Sequence, residues 1–136
     1  EMVLVPGGYG ARRALGDEAV LRYLATATAR ATHLFGVGNG VLLLGKAGLL
    51  GTATVSIGAD TVPLLHEVAP EARPDVDARF FKDGRIVTAA TPGGAVDAAI
   101  KIVLELLGKK QALAVAAALG ATPPGTAEDV AIVNSG

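Results

Sequence analysis

The sequence predicts an α/β domain with a mostly parallel sheet covered by helices, and three observations indicate that fold class. Hydrophobic residues make up 51% of the chain but aromatic residues only 4%, so Ala, Val and Leu dominate, as in parallel sheets packed under helices. Short apolar segments alternate with longer segments of helical period, which is typical of βαβ units with right-handed crossovers. The length of 136 residues is that of one small domain.

Strands are indicated by short apolar or β-branched segments that end at turn residues. The first is Met2–Val5, which we expect to be buried and which is stopped by Pro6-Gly7-Gly8. The others span residues 32–37 and 52–57, followed by a hairpin-like pair over residues 77–82 and 85–89 around Asp83-Gly84. The segment 70–74 begins and ends with proline and is predicted to be a loop.

Helices are indicated by apolar residues at helical spacing between capping and terminating residues. Asp17 is the expected N-cap of a helix that carries Val20, Leu21, Leu24 and Ala27. The other predicted helices span residues 41–50, Val62–Val68, residues 95–107 and Lys109–Leu119, and three of them end at Gly51, Gly108 and Gly120. The Pro/Gly/Thr-rich residues 121–136 predict a surface tail.

Composition excludes several function classes. The formal net charge is −1 and the basic residues are scattered, so the chain offers no electrostatic footprint for nucleic acid or an anionic membrane. The chain contains no cysteine, which excludes disulfides, thiolate catalysis and zinc–thiolate sites. No apolar segment reaches the roughly 18 residues of a membrane-spanning helix. We therefore expect a cytoplasmic protein, with no metal and no cofactor.

The most informative segment is Gly36-Val37-Gly38-Asn39-Gly40, which lies between a predicted strand and a predicted helix. This is the setting of a nucleophile elbow, a sharp strand-to-helix turn of pattern G-x-Nuc-x-G. The flanking glycines let the strand and helix pack closely, and the central residue usually has a positive φ. The central residue here is Gly38, which has no side chain, so covalent catalysis from this position is excluded.

This glycine-rich turn has two other interpretations. The turn could be retained only for packing, with no cleft above it. A dinucleotide-binding loop is disfavoured, because G-x-G-x-x-G needs a glycine where Val41 stands and an acidic residue at a strand end about 20 residues later.

Several motifs in the same order resemble one family, the ThiJ/PfpI superfamily, within the class I glutamine amidotransferase-like fold. Residues 3–10 are similar to its "VPGG-x-G" strand end, and Asp17 with the helix after it to its "D-x-x-(x)-L" segment. Residues 36–51 are similar to "V-C-T-G-x-x-L-L-x-x-A-G-L-L-x-G", residues 79–89 to "R-x-x-x-D-G-x-I-x-T-(A/S)", and residues 93–97 to the start of its "x-A-G-x-D-x-A-L" helix. Within this superfamily the chain most resembles the isonitrile (isocyanide) hydratase branch, through Ala47-Gly48-Leu49-Leu50 and the glycine pair before residue 95. The resemblance implies a flavodoxin-like three-layer sandwich, of which this chain holds the C-terminal two-thirds.

The chain departs from the family pattern at the positions that carry catalysis. The family's nucleophilic Cys falls on Gly38, the Thr that usually follows falls on Asn39, and a His often found on the next strand falls near Ser56. The usual acidic partner belongs to an N-terminal βαβ portion that this sequence does not include. We therefore expect residues 1–136 to form a single ThiJ/PfpI-like domain without that portion.

The candidate ligand-binding residues lie where this fold ends its strands. Backbone N–H groups at the start of a helix can bind an oxygen without any side chain, which selects Gly38 and Asn39. The resemblance adds the facing turn at Gly7, Gly8 and Tyr9. Further candidates are Ser56, Thr91 and Pro92, and no catalytic residue is assigned. Asp97 is most simply a helix-start charge, or else the pocket carboxylate. His33 and His66 have no metal-ligand companions.

Two functions follow as expectations. The first is a cysteine-less enzyme that acts on a small molecule in the former elbow cleft by hydratase, lyase, isomerase or cyclase chemistry without a covalent intermediate. The second is a non-catalytic ligand-binding or assembly subunit. In either case we expect a companion segment of roughly 50 to 80 residues, N-terminal or from a second chain, to complete the sheet. The resemblance also implies a homodimer of completed units.

Overall fold

The computed structural model of the chain describes residues 1–121 and 131–133, and its strands form two sheets. The strands are β1 (Met2–Val5), β2 (His33–Val37), β3 (Thr54–Ser56), β4 (Arg73–Asp75), β5 (Phe80–Asp83), β6 (Ile86–Ala89) and β7 (Ala131–Val133). The larger sheet has the order β1-β2-β6-β5-β7, and β3 and β4 form a separate parallel pair. Strands β1, β2 and β6 are mutually parallel, whereas β5 runs antiparallel to β6. The sheet is therefore mostly parallel, as the sequence predicted.

Six helices connect or flank these strands in the described part of the chain. They are α1 (Tyr9–Arg13), α2 (Glu18–Ala27), α3 (Asn39–Lys46), α4 (Val62–Val68), α5 (Pro92–Leu107) and α6 (Lys109–Leu119). None of the described helices is both long and apolar enough to cross a membrane.

Helices cover both faces of the main sheet. Because successive side chains of a strand point to opposite faces, neighbours on one strand enter different cores. Leu34 and Ile86 pack into a core with α2, α3 and α4, whereas Phe35 and Val87 pack against Ala98 and Ile102 of α5. Helix α6 then packs on α5 through Ala112 and Ala116. This is the three-layer, flavodoxin-like α/β arrangement that the sequence predicted.

Most predicted elements are confirmed, and the differences have local causes. Asp17 caps α2 by accepting hydrogen bonds from the N–H groups of Ala19 and Val20. The helix predicted over residues 41–50 instead spans Asn39–Lys46, because Gly48 has φ +77° and the N–H of Leu49 donates to Leu44 O in a helix-ending pattern.

Two further boundaries were wrong. The helix predicted over residues 95–107 begins at Pro92, because the Thr91 hydroxyl accepts from the Gly94 N–H and Pro92 suits a first helical turn. The predicted loop 70–74 contains the first residues of β4, where Pro74 pairs with Val55; a two-stranded pair consists only of edge strands, and these tolerate proline. Of the predicted tail, residues 122–130 and 134–136 lie outside the described residues, and Ala131–Val133 pairs with β5.

Buried polar groups fix β3 to the β5–β6 hairpin. Thr88 is fully buried, and its hydroxyl accepts a hydrogen bond from the Ser56 N–H at 2.8 Å and approaches Phe81 O at 3.5 Å. At the other end of the strand, the Thr54 N–H donates to the Asp83 carboxylate at 2.8 Å. These bonds link β3 to the hairpin, although the two belong to different sheets.

Thr88→Val is expected to destabilise the protein by about 1–3 kcal/mol, because the isosteric methyl leaves the buried Ser56 N–H without its acceptor. The control is Thr26→Val, since the Thr26 hydroxyl is exposed and bonds only Arg22 O of its own helix. That control should change the free energy of unfolding by less than about 0.5 kcal/mol. Urea denaturation measures both, and equal values would contradict a structural role for the Thr88 hydroxyl.

Arg85 joins the hairpin to the end of α2. Its guanidinium donates to Thr28 O at 2.8 Å and to Ala31 O at 3.1 Å. Both carbonyls lie at or just beyond the C-terminus of α2, where backbone carbonyls lack helical partners and a cation is favoured.

Strand β1 was predicted to be buried, and this was wrong for its outward side chains. Among the described strands only β2 pairs with β1, so β1 is an edge strand. Met2 is 44% exposed and Leu4 is 56% exposed. One groove of about 680 Å³ runs along β1, α1 and α2, and another of about 340 Å³ lies between β1, β2 and α5. We call Met2–Val5 together with these two grooves the β1 edge.

Candidate functional site

The strand–turn–helix geometry predicted for the glycine-rich segment is confirmed. Gly38 follows the last residue of β2 and precedes the first residue of α3, with φ +54° and ψ −125°. Its N–H donates to Ala89 O at 2.8 Å, and its carbonyl accepts from the Val41 N–H at 3.1 Å. The turn is thus fixed to the end of β6 on one side and to the first helical turn on the other.

The flanking glycines allow close backbone approach, which a side chain would block at Gly40 and crowd at Gly36. A Cβ at Gly40 would lie 2.1 Å from Val5 O, and a Cβ at Gly36 would lie 3.2 Å from the Val41 Cα. At Gly38 itself the nearest atoms to an added Cβ are 3.9 Å away. The central position therefore opens into space, as a nucleophile elbow requires, although glycine leaves that space without a side chain.

A second turn, after β1, forms the facing wall. A Cβ at Gly7 would lie 2.8 Å from Val37 O, so the two turns are in backbone contact. Gly8 has φ +94°, and its carbonyl accepts a hydrogen bond of 3.0 Å from the Asn39 side-chain amide. Asn39 therefore ties the two turns together.

Between these turns lies a cavity of about 440 Å³ at the carboxyl ends of the parallel strands. Ligands of open α/β sheets bind at this edge. The cavity lining consists of two glycine-rich turns, the ends of β2 and β6, and the segment after β3: Gly7, Gly8, Val37, Gly38, Asn39, Ile57, Gly58, Asp60, Thr61, Ala90 and Pro92.

Five of the sequence-derived candidates line this cavity, namely Gly7, Gly8, Gly38, Asn39 and Pro92. The other three do not. Tyr9 is 79% exposed as the first residue of α1, and the Thr91 hydroxyl caps α5. Ser56 is fully buried, and its hydroxyl donates to Ala78 O at 2.7 Å and accepts from the Ala90 N–H at 3.2 Å. Ser56 does not line the cavity, but its hydrogen bond holds the backbone of Ala90, which does.

The structure places a carboxylate in the cavity that sequence reasoning missed. Asp60 lies in a single 3-10 turn, Ala59–Thr61, between β3 and α4. Its Oδ1 is 3.3 Å from the Thr61 hydroxyl, which can donate to it. Asp97, considered from sequence as the pocket carboxylate, is instead bonded to Arg79, whose Nε lies 2.6 Å from its Oδ2. The segment Gly58-Ala59-Asp60-Thr61, directly after a buried strand, is the signal that could have identified Asp60.

The polar groups of the cavity lining include the backbone N–H of Asn39 and the carboxylate of Asp60. Asn39 is the first residue of α3, where N–H groups have no intrahelical partner, and no described residue accepts from its backbone N–H. Among the residues that the structure describes, no Lys, Arg or His belongs to the lining. Within the described ranges, no three His, Cys, Asp or Glu side chains are grouped to hold a metal ion.

A positive-φ turn between a parallel strand and a helix, opening into a cavity at the carboxyl edge of a flavodoxin-like sheet, defines the class of α/β proteins built around a nucleophile elbow. The chain belongs to the DJ-1/PfpI family, whose model matches residues 1–105. This confirms the relationship that the motif order indicated.

Individual relatives agree with the family. The chain is 31% identical over 111 residues to an isonitrile hydratase of Pseudomonas putida, covering 79% of this chain and 46% of that protein. A ThiJ/PfpI family protein from Pseudomonas syringae superposes with a TM-score of 0.75 at 27% identity, over 93% of this chain and 52% of that one. Drosophila melanogaster DJ-1beta gives a TM-score of 0.70 at 26% identity, over 89% and 64% of the two chains. The chain thus spans about half the length of its curated relative.

Proposed function

We propose that this chain binds a small molecule in the cavity and acts on it without a covalent intermediate, by hydratase, lyase, isomerase or cyclase-type chemistry. The observation that supports the proposal best is the elbow at Gly38, which keeps the geometry of a reactive site while the whole sequence lacks cysteine. A backbone-lined cavity can still stabilise a developing negative charge through N–H groups aimed at it.

Each side of the cavity has a chemical role in this proposal. The Asn39 N–H lies at the N-terminus of α3, where a negative or partly negative oxygen is favoured. Asp60 is an exposed residue of the same lining, and its carboxylate can accept a proton from water or from the ligand. In a hydration, the water oxygen would bond to the electrophilic carbon while its two hydrogens end on the product.

The relative's name supplies a concrete probe. Hydration of an isonitrile, R–N≡C, adds water to give the formamide R–NH–CHO, with one hydrogen on carbon and one on nitrogen. If Asp60 is the base for such a step, Asp60→Asn should lower kcat about 10²–10⁴-fold, the range for loss of a general base. Formamide production from cyclohexyl isonitrile, followed by mass spectrometry, measures this.

The matched control is Asp77→Asn, the same substitution at an exposed carboxylate that is not in the cavity lining. It should leave kcat unchanged. Equal turnover in the wild type and Asp60→Asn would remove Asp60 from the mechanism, and absence of turnover in the wild type would reject hydration of this probe.

The alternative is a non-catalytic ligand-binding or assembly subunit, and two observations favour it. Position 38 has no nucleophile, and the β1 edge is apolar and open. A similar fold also occurs in a protein described as an AraC family transcriptional regulator from Pseudomonas putida, with a TM-score of 0.65 and 26% identity. Ligand binding in the cavity without any turnover would select this alternative.

A companion segment that covers the β1 edge is part of the proposal. Within residues 1–121 and 131–133, strand β1 has one edge without a partner strand and exposes Met2 and Leu4, and such an edge is normally paired or covered. An N-terminal segment or a second chain would add a strand beside β1 and helices in the two grooves. The proposed homodimer of completed units has separate support from apolar α5 and α6 side chains, since Leu107 is 67% and Leu119 60% exposed.

Native mass spectrometry at micromolar concentration tests both assembly proposals. We expect the mass of two completed units, each containing this sequence and the roughly 50 to 80 residues of the companion. A cooperatively folded monomer of this polypeptide alone would contradict the companion segment, and a single completed unit would contradict the dimer. A cytoplasmic location stays a prediction.

A further inference from the structure

One buried hydroxyl bridges two chain segments close to the elbow. Ser56 is the last residue of β3 and is fully buried. Its hydroxyl donates to Ala78 O at 2.7 Å and accepts from the Ala90 N–H at 3.2 Å. Both partners lie just outside the β5–β6 hairpin, whose register pair farthest from the turn is Phe80 with Ala89. The hydroxyl therefore joins the two strands of the hairpin beyond the end of their own ladder.

The bond to Ala90 reaches the elbow through a single rigid group. The Ala90 N–H and the Ala89 carbonyl belong to the same peptide unit, which is planar and trans. The oxygen of this unit accepts from the Gly38 N–H at 2.8 Å. Because the N–H and C=O of a trans peptide point in opposite directions, Ser56 and Gly38 hold the two ends of one unit. A rotation of this peptide away from Ser56 would displace the acceptor of Gly38.

The hydrogen bonds also form a continuous chain. The Gly38 N–H donates to the 89–90 peptide, that peptide donates to the Ser56 hydroxyl, and the hydroxyl donates to Ala78 O. Hydrogen bonds arranged in such a chain polarise and strengthen one another. Loss of the hydroxyl should therefore weaken the bond at Gly38, although Ser56 does not contact Gly38 through any of these bonds.

We infer that Ser56 is a positioning residue of the elbow, whose hydroxyl orients the 89–90 peptide and thereby holds the backbone of Gly38. Ser56 is not in the cavity lining, so its effect on the site is indirect. The inference goes beyond the proposed function, because it concerns the geometry of the turn and holds whether the cavity turns over a molecule or only binds one.

Hydrogen exchange of the Gly38 amide, measured by NMR, tests this role. Ser56→Ala should raise the exchange rate of the Gly38 amide relative to that of the Leu34 amide at least about threefold, a factor within the net contribution of one hydrogen bond. Leu34 is the reference because it lies near the opposite end of β2, where its N–H donates to Arg85 O at 2.8 Å. The ratio separates local opening at Gly38 from a loss of global stability, which exposes both amides.

The matched control removes another buried hydroxyl, far from the elbow in the fold. Thr28 is fully buried at the end of α2, and its hydroxyl donates to Leu24 O at 2.7 Å. Thr28→Val should leave the ratio of the two exchange rates unchanged, even where it lowers stability.

A second pair of variants at position 56 isolates the hydroxyl. Ser56→Thr keeps it and should give a ratio close to that of the wild type, whereas Ser56→Val has the shape of threonine without the hydroxyl and should raise the ratio. This pair provides the same comparison if Ser56→Ala does not fold.

An introduced thiol gives an independent readout of the turn. In a Gly38→Cys background, Ser56→Ala should lower the rate of alkylation by iodoacetamide, because the thiol would be held less firmly at the N-terminus of α3, which favours the thiolate. Thr28→Val in the same background should leave that rate unchanged.

Three results would overturn the positioning role: an unchanged exchange ratio in folded Ser56→Ala, equal ratios in Ser56→Thr and Ser56→Val, or equal alkylation rates with and without the Ser56 hydroxyl. Each would reduce Ser56 to a contribution to stability. None of them bears on the proposed function, which is decided by ligand binding and turnover.

Discussion

Gly40→Ala is expected to destabilise the protein by about 3 kcal/mol or more, at or above the upper end of the usual overpacking range. The added Cβ would lie 2.1 Å from Val5 O and 2.9 Å from Pro6 O. Both obstacles are backbone atoms at the end of β1, so no side-chain rotation can relieve the clash. Helix α3 would have to move away from β1, and the contact between the two cavity turns would be lost with it.

The control for Gly40→Ala is Gly10→Ala. Gly10 is also helical, in α1, and an added Cβ there meets nothing within 4 Å. Since alanine has the higher helix propensity, Gly10→Ala should be neutral or slightly stabilising. Urea denaturation followed by far-ultraviolet circular dichroism measures both variants. A small, equal effect at the two positions would show that α3 does not pack on β1 at this distance.

Gly38→Cys is expected to create a thiol that iodoacetamide alkylates about tenfold faster at neutral pH than an ordinary surface thiol. The side chain has room, because the nearest atoms to the new Cβ are Ala90 O and Gly7 Cα, each at 3.9 Å. The N-terminus of α3 should lower the thiol pKa from about 8.5 and so raise its thiolate fraction. The positive φ would cost about 1–2 kcal/mol of stability for a residue with a Cβ.

An exposed position on α6 provides the comparison, Ala114→Cys. Because the parent chain has no cysteine, each variant contains a single thiol and the alkylation rates compare directly. Gly38→Val tests the same space by filling it, and should abolish ligand binding. If the protein is folded and iodoacetamide alkylates the thiol at position 38 no faster than the thiol at position 114, the turn lacks the reactivity of an elbow.

The sequence predicted best where the cause of the structure is local. The elbow followed from three glycines at alternate positions, since Gly36 and Gly40 let the strand and helix approach closely and Gly38 between them takes a positive φ. Asp17 was recognised as a cap because its partners are two and three residues away. The helix Val62–Val68 was predicted with the bounds that the structure has.

Prediction failed where the cause is a contact between distant segments. Met2 and Leu4 have the pattern of a buried strand, and only the position of β1 at the sheet edge exposes them. Asp60 reaches the cavity because β3 is held over the hairpin by Thr88, 32 residues from its partner Ser56. Asp97 is withdrawn from the cavity by its pairing with Arg79, 18 residues away in sequence, and no local pattern indicates that pairing.

The link from Arg85 to the end of α2 has a consequence for how the chain folds. Its partners Thr28 and Ala31 are 57 and 54 residues away in sequence, whereas the β5–β6 hairpin that carries Arg85 closes locally. Non-local contacts form late because the loop-closure entropy must first be overcome. The last turn of α2 should therefore acquire protection from hydrogen exchange only when the hairpin docks, so that its amides report the step at which the two halves of the chain become one cooperative unit.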